Sequence, residues 1–294
     1  MNKNQIKLAN NETYTYLEQG SGNKYLILIH GNVSSSVYFK PLLENLPKDI
    51  HVFAPDLRGF GDSSYNKRID SLKDLALDVK LFMEELNIPK ATVLGWSLGG
   101  GVVMELAAHY PELVEKLILL NSTTYKGYPV FKKDANNQVL FGEVYEAREE
   151  MAKDPLQVLP LLNAYETKNY EMLKYIYNLT IYTVNKPSEE DYLLYLDESM
   201  KQRNLVDVDF ALASLNMGDT HNLYSEGENT IKNITCPVLH LWGSQDKTVP
   251  EMMVLDNYNA LKDQSTYIKF DNAGHSLLVD KPLELAEKVL DFIK

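Results

Sequence analysis

Ser97 lies in the run Gly95-Trp96-Ser97-Leu98-Gly99, a serine with a glycine two residues away on each side. A serine hydroxyl is a poor nucleophile until a base takes its proton, and the base needs an acid to orient it. The spacing alone arises by chance, so its flanks carry the argument. Ala91-Thr92-Val93-Leu94 is an apolar, β-branched run of strand character, and a helical pattern rich in small residues follows Ser97. Strand, sharp turn and helix together present a serine at a strand tip. Its hydroxyl then stands at a helix N-terminus, where free N–H groups and the dipole favour negative charge. Glycines suit the flanks, because side chains there would meet the neighbouring strand or helix.

A base for Ser97 must come from six histidines. His30 belongs to a loop on the expected oxyanion side, His51 opens a strand, His109 closes the Ser97 helix and His240 lies within a strand. His275 lies in a loop at the carboxyl end of the last expected strand, where a base can reach Ser97, and His221 is its rival. Asp246 follows the strand expected over 237–243 and is the candidate acid. Asn121 occupies the other strand end that could carry the acid, and an amide cannot be a carboxylate. Asp56 and Asp62 flank Arg58 in an earlier loop and read as a loop ion pair. A tetrahedral intermediate needs donors for its oxyanion. The backbone N–H groups of Leu98 and Asn32 are the candidates, with Val33 as the fallback for Asn32.

These residues need strands to position them. Residues 6–17 alternate about Asn10-Asn11 as a hairpin. Tyr25-Leu26-Ile27-Leu28-Ile29 is continuously apolar, as expected of a strand covered on both faces. Further strands are expected at 52–54, 91–94, 117–120, 237–243 and 266–270, with helical spacing between them. Ser71 with Asp74 marks a capped helix start, and Thr248-Val249-Pro250-Glu251 reads as a second capping box. Strands alternating with helices imply βαβ units and a mainly parallel sheet. Ligands then bind beyond the carboxyl ends of the strands, where His30-Gly31-Asn32, Asp56, Ser97 and Asn121 all fall.

The alternation stops after Asn121. Residues 125–224 are dense in tyrosine and show helical patterns near 143–151, 170–177 and 189–200. They read as a helical cap inserted into a core made of residues 1–124 and 225–294, with the tyrosines lining a pocket.

Composition bounds the partners. The 294 residues suit one large α/β unit, and the hydrophobic fraction of 45% is ordinary for a globular core. A net charge of -12 argues against nucleic acid and anionic membranes. The single cysteine, Cys236, allows no internal disulfide and reads as a structural thiol in a reducing compartment. Met1-Asn2-Lys3-Asn4-Gln5 has no apolar signal core and no run is long enough to span a bilayer, so a soluble cytoplasmic protein is expected. The expected partner is a small-molecule ester, and the oligomeric state is open.

Taken together, His30-Gly31-Asn32, Asp56-Leu57-Arg58-Gly59-Phe60-Gly61-Asp62-Ser63, Gly95-Trp96-Ser97-Leu98-Gly99-Gly100, Gly243-Ser244-Gln245-Asp246 and Gly274-His275 resemble the α/β-hydrolase superfamily over nearly the whole chain. The order Ser97, Asp246, His275 is the nucleophile–acid–histidine order of that superfamily. His-Gly-Asn is also similar to the haloalkane dehalogenases and related luciferases, but those carry an aspartate nucleophile where this chain has Ser97. The loop after residue 29 lacks the Gly-Gly-Gly run of the hormone-sensitive-lipase branch. The resemblance implies hydrolysis of a small or aromatic carboxylic ester through an acyl-enzyme, without metal or organic cofactor. Lactone, thioester and carbon–carbon bond hydrolysis use the same apparatus, and a ligand-binding receptor on the scaffold is the non-enzymatic alternative.

Overall fold

A computed structural model describes residues 3–294; Met1 and Asn2 of the N-terminal stretch lie outside the described residues. The strands are β1 (Lys3–Lys7), β2 (Thr13–Gln19), β3 (Lys24–Ile29), β4 (Ile50–Pro55), β5 (Ala91–Trp96), β6 (Val114–Leu120), β7 (Phe131–Lys133), β8 (Val139–Val144), β9 (Val238–Gly243) and β10 (Ser265–Phe270). Eight of them form one sheet in the order β1-β2-β4-β3-β5-β6-β9-β10. The hairpin β1–β2 and its junction with β4 are antiparallel, and every later pairing in that sheet is parallel. Parallel pairing brings the carboxyl ends of β3, β4, β5, β6, β9 and β10 to one edge, which is where the candidate residues lie.

The helices are α1 (Lys40–Asn45), α2 (Leu72–Glu85), α3 (Leu98–His109), α4 (Arg148–Met151), α5 (Leu159–Glu166), α6 (Tyr170–Thr180), α7 (Glu189–Ser199), α8 (Leu205–Ala213), α9 (Glu251–Ala260), α10 (Leu277–Asp280) and α11 (Pro282–Ile293). Side chains alternate along a strand, so a strand covered on both faces must be apolar at every position. In β3, Leu26 and Leu28 join a core shared with α1 and α11, whereas Ile27 and Ile29 join a second core shared with α2 and α3. Asp74 fixes the start of α2 by accepting from the backbone N–H groups of Asp70 at 2.7 Å and Ser71 at 3.1 Å.

The segment between β6 and β9 is not purely helical. The residues expected to begin a helix at Glu143 belong to the hairpin β7–β8, and only Arg148–Met151 of that stretch is helical. Val139, Phe141 and Val144 suit a strand, and Asp134 closes the turn by accepting from the N–H groups of Asn136 and Gln138. Helix α8 was also not expected. Its β-branched Val206 and Val208 obscure helical spacing, yet Leu205, Val208, Ala211 and Leu212 are buried along one side.

Arg58 does not pair with Asp56 or Asp62. It grips Asp78 of α2 with two nitrogens, Nε at 2.7 Å and Nη2 at 2.5 Å. Asp56 and Asp62 are instead joined by Lys3, whose ammonium also reaches Glu198 of α7 at 2.6 Å. The three carboxylates thus surround a lysine that ties β1 and the β4 loop to α7. No helix among the described residues is long and apolar enough to cross a membrane.

Candidate active site

Ser97 follows the last residue of β5 and precedes the first of α3, with φ 55° and ψ −119°. A positive φ at a non-glycine residue is strained, and the surroundings hold it. The Ser97 N–H donates to Leu120 of β6 at 3.0 Å, and its carbonyl accepts from Gly100 at 2.9 Å and Thr123 at 3.2 Å. The glycines allow the close approach. A Cβ on Gly95 would lie 2.3 Å from the Gly99 carbonyl oxygen, and one on Gly99 would lie 2.3 Å from that of Ile29.

His275 and Asp246 arrive on the loops after β10 and β9. His275 Nδ1 donates to Asp246 Oδ2 at 2.8 Å, which leaves Nε2 as the nitrogen available to a hydroxyl. Asp246 Oδ2 also accepts from Asn121 Nδ2 at 2.6 Å, while Oδ1 accepts from the N–H groups of Thr248 at 2.8 Å and Val249 at 2.9 Å. Burial alone would raise the Asp246 carboxyl. The His275 imidazole, with the Asn121 and Val249 donors, outweighs burial and holds it below the ordinary carboxylate value. Thr248 therefore caps no helix here: its hydroxyl donates to Thr180, and Pro250 stands before α9.

Two supports of the histidine loop went unread in the sequence. The Trp96 indole N–H donates to the His275 carbonyl at 3.0 Å, and Asp280 accepts from the Gly274 N–H at 2.7 Å. Trp96 sits inside the Gly95–Gly99 run, so its size next to Ser97 was the available signal. The other histidines have structural surroundings. Burial lowers His30 and His240 to about 4, so both are neutral. His30 Nε2 accepts from the Leu57 N–H at 3.0 Å. His221 is exposed and accepts from the Leu223 N–H, away from the cavity. Cys236 is half-buried, and burial raises its thiol to about 11, far from a thiolate nucleophile at neutral pH.

Ser97, Leu98, Asn32 and His275 line one cavity of about 280 Å³. Among the described residues the Leu98 and Asn32 N–H groups have no protein partner, whereas the Val33 N–H donates to Asn32 Oδ1 at 2.9 Å. That bond removes the fallback donor. The Asn32 side chain is fixed further: Nδ2 donates to Asp209 at 2.7 Å, and the same Oδ1 also accepts from Gln202 at 2.9 Å. The rest of the wall is mostly aliphatic, with Leu161, Ile176, Ile181 and Leu212 from the segment between β6 and β9. The tyrosines contribute less than expected. From that segment Tyr128 and Tyr177 reach the cavity, joined by Tyr38, whereas Tyr182, Tyr192 and Tyr195 are buried in packing. Tyr195 stacks on Tyr38 at 4.4 Å.

A family model described as alpha/beta hydrolase fold matches residues 24–282. The uncharacterized hydrolase YugF of Bacillus subtilis (strain 168) is 24% identical over 282 residues, covering 94% of this chain and 92% of its own. A pimeloyl-[acyl-carrier protein] methyl ester esterase of Vibrio vulnificus (strain YJ016) is 24% identical over 275 residues, covering 93% of this chain and 95% of its own. Among solved structures, an esterase from Exiguobacterium antarcticum superposes with a TM-score of 0.73 at 18% identity, covering 98% of both chains.

Proposed function

The chain belongs to the alpha/beta hydrolase fold family, and from that premise we propose that it hydrolyses small carboxylic esters through a serine acyl-enzyme. The observation that carries this reading is the His275–Asp246 pair at 2.8 Å, opening on the cavity that Ser97 also lines. Ser97 Oγ attacks the ester carbonyl carbon as its proton passes to His275 Nε2. Asp246 holds the imidazole and stabilises its charged form, and its own lowered pKa keeps it ionised. The Leu98 and Asn32 N–H groups, free of other partners, take the oxyanion. The intermediate collapses, and the alcohol leaves with the proton from His275. Water, deprotonated by the same imidazole, then releases the acid and restores Ser97.

The segment 125–224 acts as a lid over this chemistry, and a cavity of about 280 Å³ with aliphatic walls favours short or aromatic esters over long-chain lipids. The acidic charge and lone cysteine suit the cytoplasm. The test is a panel of p-nitrophenyl esters, thioesters and lactones against wild type and Ser97→Ala, with fluorophosphonate labelling of both. Ester turnover and labelling should vanish together in Ser97→Ala. A variant that still turns over esters at the wild-type rate, in material freed of contaminating esterase, defeats the assignment.

A further inference from the structure

Asp209 stands near the middle of α8, and the same cavity that holds Ser97 and His275 exposes its carboxyl. The residue is half-buried. Four buried carboxylates have a cationic or imidazole partner, Asp78 with Arg58, Asp154 with Lys133, Asp56 with Lys3 and Asp246 with His275, and buried Asp280 accepts from the N–H groups of Gly274 and Asn185. Asp207, two residues before it on α8, has Arg68 at 2.5 Å and the Tyr65 hydroxyl at 2.5 Å. Among the described residues Asp209 has no such partner. Its Oδ1 accepts from the neutral Asn32 Nδ2 at 2.7 Å, and its Oδ2 has no donor from the protein. A half-buried carboxyl with one oxygen left unmet by the protein is ready to take a donor from whatever fills the cavity.

We propose that Asp209 is a specificity carboxyl whose free oxygen receives a hydrogen-bond donor of the substrate, a hydroxyl or an ammonium group. The proposal rests on the serine-hydrolase reading and adds to it the class of ester preferred. The surroundings favour this role. Leu161, Ile176, Ile181 and Leu212 make the wall apolar, so a substrate without a donor leaves the carboxyl unpaired in an apolar site. Sites built to bond a donor reject the isostere that lacks it far more strongly than apolar sites reject an added group. The link to the reacting centre is short. Asp209 holds Asn32, Asn32 follows Gly31, and a Cβ on Gly31 would lie 3.1 Å from the Cβ of Ser97. A donor seated on Asp209 therefore anchors the substrate on the side of the cavity that takes the oxyanion. Burial, partly opposed by the Asn32 hydrogen bond, pushes this carboxyl up to about 7. An ammonium would restore its charge pairing, and a hydroxyl can bond it in either protonation state.

The experiment uses three p-nitrophenyl esters of equal acyl length, ending in methyl, hydroxyl or ammonium. Values of kcat/KM are compared for wild type, Asp209→Asn and Asp209→Leu. Wild type should favour both donor-bearing esters over the methyl-ended one by about tenfold or more. The Asn variant should keep the hydroxyl preference, since its amide oxygen still accepts, and lose the ammonium preference with the charge. The Leu variant should lose both. Equal ratios in all three proteins overturn the proposal, as does a common slowing of all three esters, which would mean that Asp209 only holds Asn32 in place. If wild type hydrolyses none of the esters and fluorophosphonate does not label Ser97, the serine-hydrolase reading has failed. Asp209 is then tested by calorimetry with the corresponding hydroxy-, ammonio- and methyl-ended acids. Binding that depends on the donor in wild type but not in Asp209→Leu sustains the specificity carboxyl, and indifference removes it.

Discussion

Asn121 donates to Asp246 Oδ2 at 2.6 Å, the same oxygen that receives His275 Nδ1 at 2.8 Å. The strand end after β6, which cannot itself supply the acid, thus braces the acid supplied after β9. The amide also donates to the Gly274 carbonyl at 3.1 Å, so one side chain holds the Asp246 carboxylate and the loop bearing His275.

The two residues should differ in cost. Asp246→Asn removes the charge that orients and stabilises the imidazolium, and turnover should fall by roughly 10⁴. Asn121→Ala removes the bond to the charged Asp246, worth about 1.5–3 kcal/mol, together with the bond to the Gly274 carbonyl, so turnover should fall by about 10-fold or more but by less than in Asp246→Asn. Steady-state kcat on one p-nitrophenyl ester measures both. The opposite ranking would assign the orienting role to the β6 end.

Close approach at the β5–α3 turn makes a stability prediction. Gly99→Ala would drive a Cβ to 2.3 Å from the backbone oxygen of Ile29, which cannot swing aside. Gly142 has φ +86° but nothing within 4 Å of its added Cβ, so Gly142→Ala meets only the left-handed penalty of about 1–2 kcal/mol. Thermal melts should show Gly99→Ala far less stable than Gly142→Ala and without ester turnover. A Gly99→Ala melt close to that of wild type would show that the turn tolerates a side chain.

Much of this was legible in the sequence because it is local. Tyr25–Ile29 had to be a strand covered on both faces, and strand ends placed Ser97, Asp246 and His275 on one edge before any distance was known. Long-range choices of partner were not legible. Arg58 sits between Asp56 and Asp62 in sequence yet takes Asp78, because the chain turns Arg58 towards α2 while Lys3 reaches Asp56 and Asp62 from β1. Asp209 lies 177 positions from its partner Asn32, and nothing near it in sequence announces a cavity. The hairpin β7–β8 was missed because Glu143 and the acidic run after it favour a helix locally, while the strand depends on pairing with β7.

The loop after β3, which carries the proposed oxyanion donor Asn32, is clamped from the segment between β6 and β9. Val33 has φ 53°, an unfavourable conformation for a β-branched residue, and its carbonyl accepts from the hydroxyls of Tyr177 and of Ser199, the latter at 2.8 Å. Ser199→Ala leaves Tyr177 alone on that carbonyl. The variant also frees the Tyr38 and Tyr177 hydroxyls that Ser199 meets; with each neutral hydrogen bond worth about 0.5–1.5 kcal/mol, kcat should fall by about threefold or more with little change in KM. A rise in KM at constant kcat would place the effect on substrate binding rather than on the loop.

Asp209 should also leave a mark on stability. Its carboxyl is pushed up to about 7 by burial, with Asn32 opposing and the Asp154 carboxylate adding to the rise. In the unfolded chain an aspartate titrates at about 3.9. Between these values the folded protein holds a proton that the unfolded chain has released, so stability falls as pH rises through the window and levels off above it. Asp209→Asn cannot titrate, and Asn32 beside it is neutral. Lys247, which lines the same cavity, is exposed, and Asp154 is paired with Lys133. The variant should therefore gain on wild type as pH rises from about 4 to about 7, by an amount of the order of 1 kcal/mol or more, and the difference should stay constant above that. Chemical denaturation of both proteins at a series of pH values reads it directly. A gain that is greatest at acidic pH, or the same at every pH, would show that the Asp209 carboxyl does not hold its proton through this range.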